Sequence, residues 1–273
     1  MFDIEKQSNH VPATVKFINK STNANKYQWD FGDGHSSEEI NPEHRFTLSG
    51  KYHVALKAMD NKKQSRQSKD VIFDPPHQCL VEIHTTAGSM MVKLFDETPH
   101  HRDNFIKLAE DGYFDDMLFH RVIKGFMIQA GDPDSKNAPT GKRLGSGGPG
   151  FTLPAEFIDT LVHIKGALAA ARQSDAVNPK KASSGSQFYI VQGRPVSAGQ
   201  LENFELQKNL VYTPFAKKIY SEEGGTPTLD KEYTVFGKIV KGLEVIDLIA
   251  DSKTDSADRP LTDVKIISIK IIN

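Results

Sequence analysis

The sequence predicts a mainly β protein in two parts, a small β-sandwich followed by an antiparallel β-barrel with capping helices and a helical insertion. Three observations carry this expectation. Apolar and polar residues alternate in short runs along much of the chain, the period of two that a half-buried strand requires. The run Asp74-Pro75-Pro76-His77-Gln78 interrupts the pattern with two prolines, which neither continue a helix nor donate to a sheet ladder. The 273 residues, 38% hydrophobic and 25% charged, suffice for about two cores of ordinary globular composition, which sets collagen-like and disordered classes aside. The boundaries that follow are a first domain over 1–74, a proline-rich linker at 75–78 and a second domain over 79–273.

In the first domain, Thr14-Val15-Lys16-Phe17-Ile18, Lys51-Tyr52-His53-Val54-Ala55-Leu56 and Val71-Ile72-Phe73 read as strands separated by Asn, Ser and Gly clusters. Tyr27-Gln28-Trp29-Asp30-Phe31 places an aromatic residue at every second position and runs into Gly32-Asp33-Gly34, as expected of a buried strand entering a tight turn. Trp29, the sole tryptophan, is expected in the core. Asp30 and Asp33 are expected to form the turn, since the six or more oxygen ligands that calcium needs are not in view.

In the second domain, Cys79 to Thr86 and Ser89 to Phe95 alternate around Thr86-Ala87-Gly88 and read as a hairpin. A helix follows, with Thr98 as N-cap, Pro99 at the first helical position, Phe105, Leu108 and Ala109 on the inward stripe, and Gly112 ending it. Further strands are expected at 118–122, 127–129, 167–170, 187–191, 234–239 and 264–271, an order that fits a closed or nearly closed barrel with helices at its ends.

The run Trp29 to Gly34, followed by Pro42, Phe46 and Gly50-Lys51-Tyr52-His53-Val54, resembles the PKD (polycystic kidney disease type) domain over about residues 10–74. The resemblance implies an immunoglobulin-like sandwich that contacts protein or glycan. It also implies a location outside the cytoplasm, in the periplasm or cell envelope, with a targeting segment absent from this chain; a cytoplasmic location is the alternative.

Residues 119–132, Phe119-His120-Arg121-Val122-Ile123-Lys124-Gly125-Phe126-Met127-Ile128-Gln129-Ala130-Gly131-Asp132, resemble the signature of the cyclophilin-type peptidyl-prolyl isomerases. Gly147-Gly148-Pro149-Gly150, Glu156-Phe157, Lys165-Gly166-Ala167-Leu168, Ser186-Gln187-Phe188-Tyr189-Ile190 and Val235-Phe236-Gly237 recur in that family's order. The resemblance covers 79–273 and implies an enzyme that interconverts cis and trans Xaa-Pro bonds in proline-containing protein clients, with no covalent intermediate, cofactor or metal. It implies Arg121, Gln129 and Phe126 as catalytic residues. Met127, Ala171, Arg172, Gln187, Tyr189, Leu229, Tyr233 and Phe236 are implied as substrate-binding. In that assignment Phe126, Met127, Tyr189 and Leu229 hold the proline ring, Gln129 and Gln187 bond the substrate backbone or orient Arg121, and Ala171 and Arg172 form an adjacent edge. Read for chemistry alone, Arg121 suits the task of donating to the prolyl nitrogen of the twisted amide, because a guanidinium stays charged at all working pH and offers a rigid planar fork. A second reading is a proline-segment-binding chaperone or envelope scaffold with little turnover, which could lose Arg121 and keep its affinity.

Thr228 stands where many cyclophilins carry tryptophan, Tyr233 where a histidine is common, and Arg172 where an asparagine is frequent. Weak inhibition by cyclosporin and a preference of Arg172 for acidic residues in clients are the corresponding expectations. An insertion at about 192–228 has a helical pattern from Gln200 to Pro214. It is expected to serve either as a lid or client-selecting arm, or as a prop packing Leu201, Phe204, Leu210 and Val211 on the barrel.

Other classes fall away. Through residue 76 there are 11 basic and 10 acidic residues, and after it 23 and 25, which is not the footprint of a nucleic-acid binder. The longest apolar stretch, Ile164 to Ala171, is interrupted by Lys165 and falls far short of the roughly 20 residues of a membrane span. Cys79 is the only cysteine, so no intramolecular disulfide and no paired-cysteine metal site exists. Gly145-Ser146-Gly147-Gly148-Pro149-Gly150 has the spacing of a dinucleotide loop but opens no helix. The histidines His77, His84, His100 and His101 lack zinc-site spacing, and Ser183-Ser184-Gly185-Ser186 lacks a nucleophile elbow.

Overall fold

The structure is a computed structural model, described over residues 1–60, 63–74 and 79–272. The chain divides into two compact units, Met1–His77 and Gln78–Asn273. The linker expected at 75–78 lies outside the described residues.

The first unit contains strands β1 (Phe2–Lys6), β2 (Ala13–Asn19), β3 (Lys26–Asp30), β4 (Ser36–Ser37), β5 (Glu43–Phe46), β6 (Gly50–Met59) and β7 (Gln64–Phe73). They form two antiparallel sheets, β1-β2-β5 and β4-β3-β6-β7, around one core. Alternation decides the facing: in β2, Ala13, Val15 and Phe17 are buried while Lys16 is exposed. Trp29 is fully buried, with Phe2 edge-on at 5.0 Å and Phe17 tilted at 5.4 Å, and its indole N–H donates to the Glu39 carbonyl at 2.9 Å. Asp30 and Asp33 accept from the backbone N–H groups of Gly32 and His35, at 3.0 and 3.1 Å, as turn-forming aspartates do.

The second unit is a curled eight-stranded sheet. In chain order its elements are β8 (Leu80–Thr85), β9 (Gly88–Leu94), α1 (Pro99–Glu110), β10 (Arg121–Ile123), β11 (Met127–Ala130), β12 (Thr152–Leu153), β13 (Ala167–Ala170), β14 (Ser183–Ser184), β15 (Phe188–Val191), α2 (Ala198–Lys208), α3 (Pro214–Glu222), β16 (Val235–Lys241), α4 (Leu243–Ala250) and β17 (Ile266–Ile272). The sheet runs β10-β11-β15-β13-β16-β9-β8-β17, and β12 pairs with β14 apart from it. Its two edges are drawn together just ahead of β10 and β17, where Phe119 N–H donates to the Val264 carbonyl at 2.9 Å and Ile266 N–H to the Met117 carbonyl at 2.8 Å.

Helices α1 and α4 close the ends of this cylinder. Phe105, Ile106, Leu108 and Ala109 of α1 and Val245, Ile246, Ile249 and Ala250 of α4 join the interior cluster. The N-terminus of α1 is not capped by Thr98, whose side chain makes no capping bond. Glu156, far along the chain, takes that place by accepting from the backbone N–H groups of His100 and His101 at 3.2 and 3.1 Å.

The period of two sorts the barrel residues onto two faces. Val122, Ile128, Ala130, Leu168, Ala170, Phe188 and Ile190 point into the cylinder. Met127, Ala167, Ala169, Tyr189, Val191 and Val235 form a second cluster on the outer face, joined by Phe126, Ala171, Leu229 and Tyr233.

Candidate active site

Register places the expected residues in one row. Arg121 of β10 lies opposite Gln129 of β11, Gln129 opposite Tyr189 of β15, and Tyr189 opposite Ala169 of β13. These residues share the outer face, where a groove of about 510 Å³ opens. Arg121, Phe126, Met127, Gln129, Ala171, Arg172, Tyr189, Leu229 and Tyr233 all line it. Phe126 is held at the mouth by its own backbone, whose carbonyl accepts from the N–H groups of Gln192 and Gly193, both at 3.0 Å.

Arg121 is half-buried, and its ion-pair partner is Asp258, with Nε 3.5 Å from Oδ2. That leaves a cation at one side of an apolar floor, with N–H groups to spare. The Gln129 amide NH₂ donates to Gln187 Oε1 at 3.0 Å, and the Gln187 amide NH₂ donates to the carbonyls of Gly145 and Gly147 at 3.0 and 2.7 Å. Gln187 therefore sits behind Gln129 and orients it, and with Gln129, Ala171 and Arg172 it lines a second cleft that continues from the groove.

Comparison with known proteins decides the family. Residues 80–271 match the family model described as cyclophilin type peptidyl-prolyl cis-trans isomerase/CLD. The chain belongs to the cyclophilin-type peptidyl-prolyl cis-trans isomerase family. Residues 3–73 of this cyclophilin match the PKD domain model. A Staphylococcus saprophyticus protein provisionally named a peptidyl-prolyl cis-trans isomerase is 37% identical over 194 residues, which are 70% of this chain and 90% of that protein. A Streptococcus pyogenes protein provisionally named a bifunctional phosphatase/peptidyl-prolyl cis-trans isomerase is 39% identical over 197 residues, but this chain spans only 38% of its length. The crystal structure of a Cryptosporidium parvum cyclophilin type peptidyl-prolyl cis-trans isomerase superposes with a TM-score of 0.52 at 25% identity, over 72% of this chain and 99% of that one.

Two expectations for the cyclophilin site change on inspection. Phe236 does not reach the groove. A register shift between Leu168 and Ala169 pairs Leu168 with Gly237 and Ala169 with Val235, so Phe236 is turned into the cylinder, against Phe105 at 5.5 Å and His101 at 5.8 Å. Arg172 lines the groove, yet its charge is engaged elsewhere. It pairs with Asp175 and with Glu232 Oε2 at 3.3 Å, and it donates to the Glu232 and Gln173 carbonyls at 2.7 and 3.0 Å. Its guanidinium carbon stands 4.6 Å from the centroid of the Tyr233 ring.

The opposite wall of the cyclophilin groove was not anticipated. It consists of His120, the loop from Gly141 to Ser146, and Asp255, Ala257 and Arg259. Of these only His120 carried a signal, through its place beside Arg121 in the Phe-His-Arg run. His120 is buried and neither ring nitrogen has a hydrogen-bond partner among the described residues. Burial is the largest influence on it and lowers its pKa to about 4 against the opposing charge of Asp132. The ring therefore stays neutral beside Arg121 at neutral pH.

Thr228 is exposed on the 3₁₀ turn Pro227–Leu229 and does not line the groove, so no indole stands at that rim. In the first unit Asp33, His35 and His44 bring ligand-type atoms within 4.8 Å of one another. His44 Nε2 and Asp33 Oδ2 are bonded to each other at 2.6 Å, and the His44 ring stacks on Phe31 at 4.1 Å, which accounts for the cluster as a turn-to-strand tether. No helix of the described residues is long and apolar enough to cross a membrane.

Proposed function

We propose that Arg121 accelerates Xaa-Pro isomerisation in protein clients by donating to the prolyl nitrogen of the twisted amide. Rotation about an Xaa-Pro bond breaks no covalent bond, so the reaction calls for neither nucleophile nor metal. Its barrier is loss of amide resonance, about 18–20 kcal/mol. At the twisted state the nitrogen becomes pyramidal and gains a lone pair that the planar ground state lacks. A donor aimed there stabilises the transition state alone. The carrying observation is the register row: a half-exposed guanidinium beside Gln129, facing an apolar floor of Phe126, Met127, Tyr189 and Leu229. The floor fixes the proline ring while the acyl side turns, and Gln129, oriented by Gln187, bonds the client backbone.

A charge-assisted hydrogen bond contributes about 1.5–3 kcal/mol, and each 1.36 kcal/mol is tenfold in rate, so Arg121→Ala should slow catalysed exchange roughly 10- to 100-fold. NMR exchange spectroscopy on an Xaa-Pro peptide measures this directly. An unchanged rate overturns the mechanism. The reading as a binder with little turnover fits only if the wild-type protein holds the peptide without accelerating exchange.

The PKD domain supports a place outside the cytoplasm and a contact with protein or glycan. Fractionation of cells producing the full chain tests the location.

A further inference from the structure

The insertion between β15 and β16 contributes no residue to the groove: none of the residues 192–228 lines it. Its inner face is nevertheless buried. Leu201, Leu210, Tyr212, Ala216, Ile219 and Tyr220 pack with Val162 and Ile164, the segment leading into β13. The expected prop residues Leu201 and Leu210 are in this cluster and Phe204 packs against it, whereas Val211 is 83% exposed.

At the centre stands Asp230, 1% exposed and directly following the groove residue Leu229. Oδ1 accepts from the His163 backbone N–H at 2.8 Å and lies 2.7 Å from His163 Nδ1. Oδ2 accepts from the Tyr212 and Tyr220 hydroxyls, both at 2.7 Å, and both tyrosines belong to the insertion. His163 Nε2 in turn lies within hydrogen-bond distance of the Tyr189 hydroxyl, 3.0 Å away on the groove floor. Lys208 Nζ of α2 donates to the Asp230 carbonyl at 2.8 Å, and Lys231 Nζ donates to the Asn209 carbonyl at 2.8 Å. Gly225 makes room for the arrangement, because a Cβ there would run into the Tyr220 ring and stand 2.6 Å from the His163 carbonyl oxygen.

We propose that the α2–α3 insertion is the buttress of the proline pocket, with Asp230 as a positioning residue that fixes Leu229 through the chain and Tyr189 through His163. The proposal rests on the groove being the isomerase site. A buried carboxylate with four donors is costly to move, since any displacement leaves a polar group unpaired, and this rigidity passes to the two groove residues attached to it. Burial, then the Asp230 charge, push the Tyr212 and Tyr220 hydroxyls far above the ordinary tyrosine range, so both remain donors at every working pH. A lid would hinge over the groove and touch its occupant. No residue of this element lines the groove, and it bears on the proline pocket from behind.

The test is a Tyr212→Phe/Tyr220→Phe double variant of the full chain, with Tyr189→Phe beside it, each titrated with an Ala-Pro-containing peptide by NMR. Kd and the exchange rate of the bound peptide are read separately, and thermal melts are recorded alongside. A positioning role raises Kd about five- to tenfold in the double variant and about threefold in Tyr189→Phe, while the bound exchange rate stays within about twofold. Wild-type affinity in these variants overturns the buttress, as does a loss of rate at unchanged affinity. If the double variant does not fold, Tyr189→Phe decides alone. Arg121→Ala in the same assay separates the two readings. If it leaves exchange untouched, the isomerase reading of the groove fails; if it slows exchange while the phenylalanine variants bind normally, only the buttress fails.

Discussion

Arg172 lies across the face of Tyr233, 4.6 Å from guanidinium carbon to ring centroid, and Tyr233 meets Tyr189 edge-on at 5.8 Å. The arginine thus fixes the orientation of an aromatic groove wall, and Glu232 and Asp175 balance its charge. A desolvated cation–π contact contributes about 2 kcal/mol and an exposed one about 0.5–1. Arg172→Asn is therefore expected to weaken peptide binding by about three- to tenfold, with no change in preference between Glu- and Lys-flanked Xaa-Pro peptides. Isothermal titration with both peptides checks each half of that statement.

Any preference for charge in clients is expected instead from the loop opposite, whose Lys142 and Arg143 line the groove. Lys142 donates to the Asp134 carbonyl at 3.1 Å, and neither Lys142 nor Arg143 has a carboxylate within ion-pairing distance among the described residues. Glu-flanked peptides should bind about fivefold tighter than Lys-flanked ones at low salt, with the gap closing as salt rises. The Lys142→Glu/Arg143→Glu variant should invert the order. Equal affinities in the wild-type protein would refute this.

His120 gives a pH signature. Its ordinary value is 6.5 and its folded value about 4, so between these the unfolded chain takes up a proton that the folded chain refuses. Stability therefore falls as the pH drops through that window, by about 3 kcal/mol in all. The slope fades out about one pH unit above 6.5, where the unfolded ring is also neutral. Urea unfolding of wild type and His120→Gln from pH 7.5 to 4 should show the extra slope only in the wild type.

Glu156 behaves in the opposite chemical sense. Burial raises its pKa, but the side chain of His101 and the first-turn N–H groups of α1 outweigh burial and hold it below the ordinary 4.5. Its contribution is present above pH 4.5 and is lost as pH falls through the lowered folded value. Glu156→Gln should thus be less stable than wild type at pH 7, with the difference shrinking below pH 4.5. Thermal melts at pH 7 and pH 3.5 provide the comparison.

Phe236 belongs to the barrel interior, at 3% exposure among Phe105, Phe188 and other core residues. Phe236→Ala should cost about 3–5 kcal/mol of stability. Phe236→Leu should fold and isomerise at close to the wild-type rate, measured at a temperature where both are folded. A substrate-binding role would instead show as a loss of peptide affinity in the leucine variant.

The parts of the site that could be read in the sequence are those that one strand pair carries within a few residues. Arg121, Met127 and Gln129 share one face of a single hairpin, whereas Phe126, in the turn ahead of Met127, was legible only through the resemblance carried by the run Phe119 to Asp132. Phe236 could not be read, because the shift between Leu168 and Ala169 is a property of pairing and leaves no mark in either strand. The α1 cap shows the same limit: Thr98 has the local chemistry, but Glu156 arrives from 55 residues away. The donors to Asp230 are likewise long-range, and a helical pattern cannot say that Tyr212 and Tyr220 converge on one oxygen. In the sandwich, Trp29 and the Asp30 and Asp33 turns were legible because strand and turn are contiguous.

The seam between Met117–Phe119 and Val264–Ile266 has a consequence for biosynthesis. Arg121 emerges from the ribosome well over a hundred residues before the segment that bonds the backbone immediately ahead of it. The cylinder cannot close along its reactive edge until Ile266 has been translated, so until then the guanidinium stands on an unfinished wall.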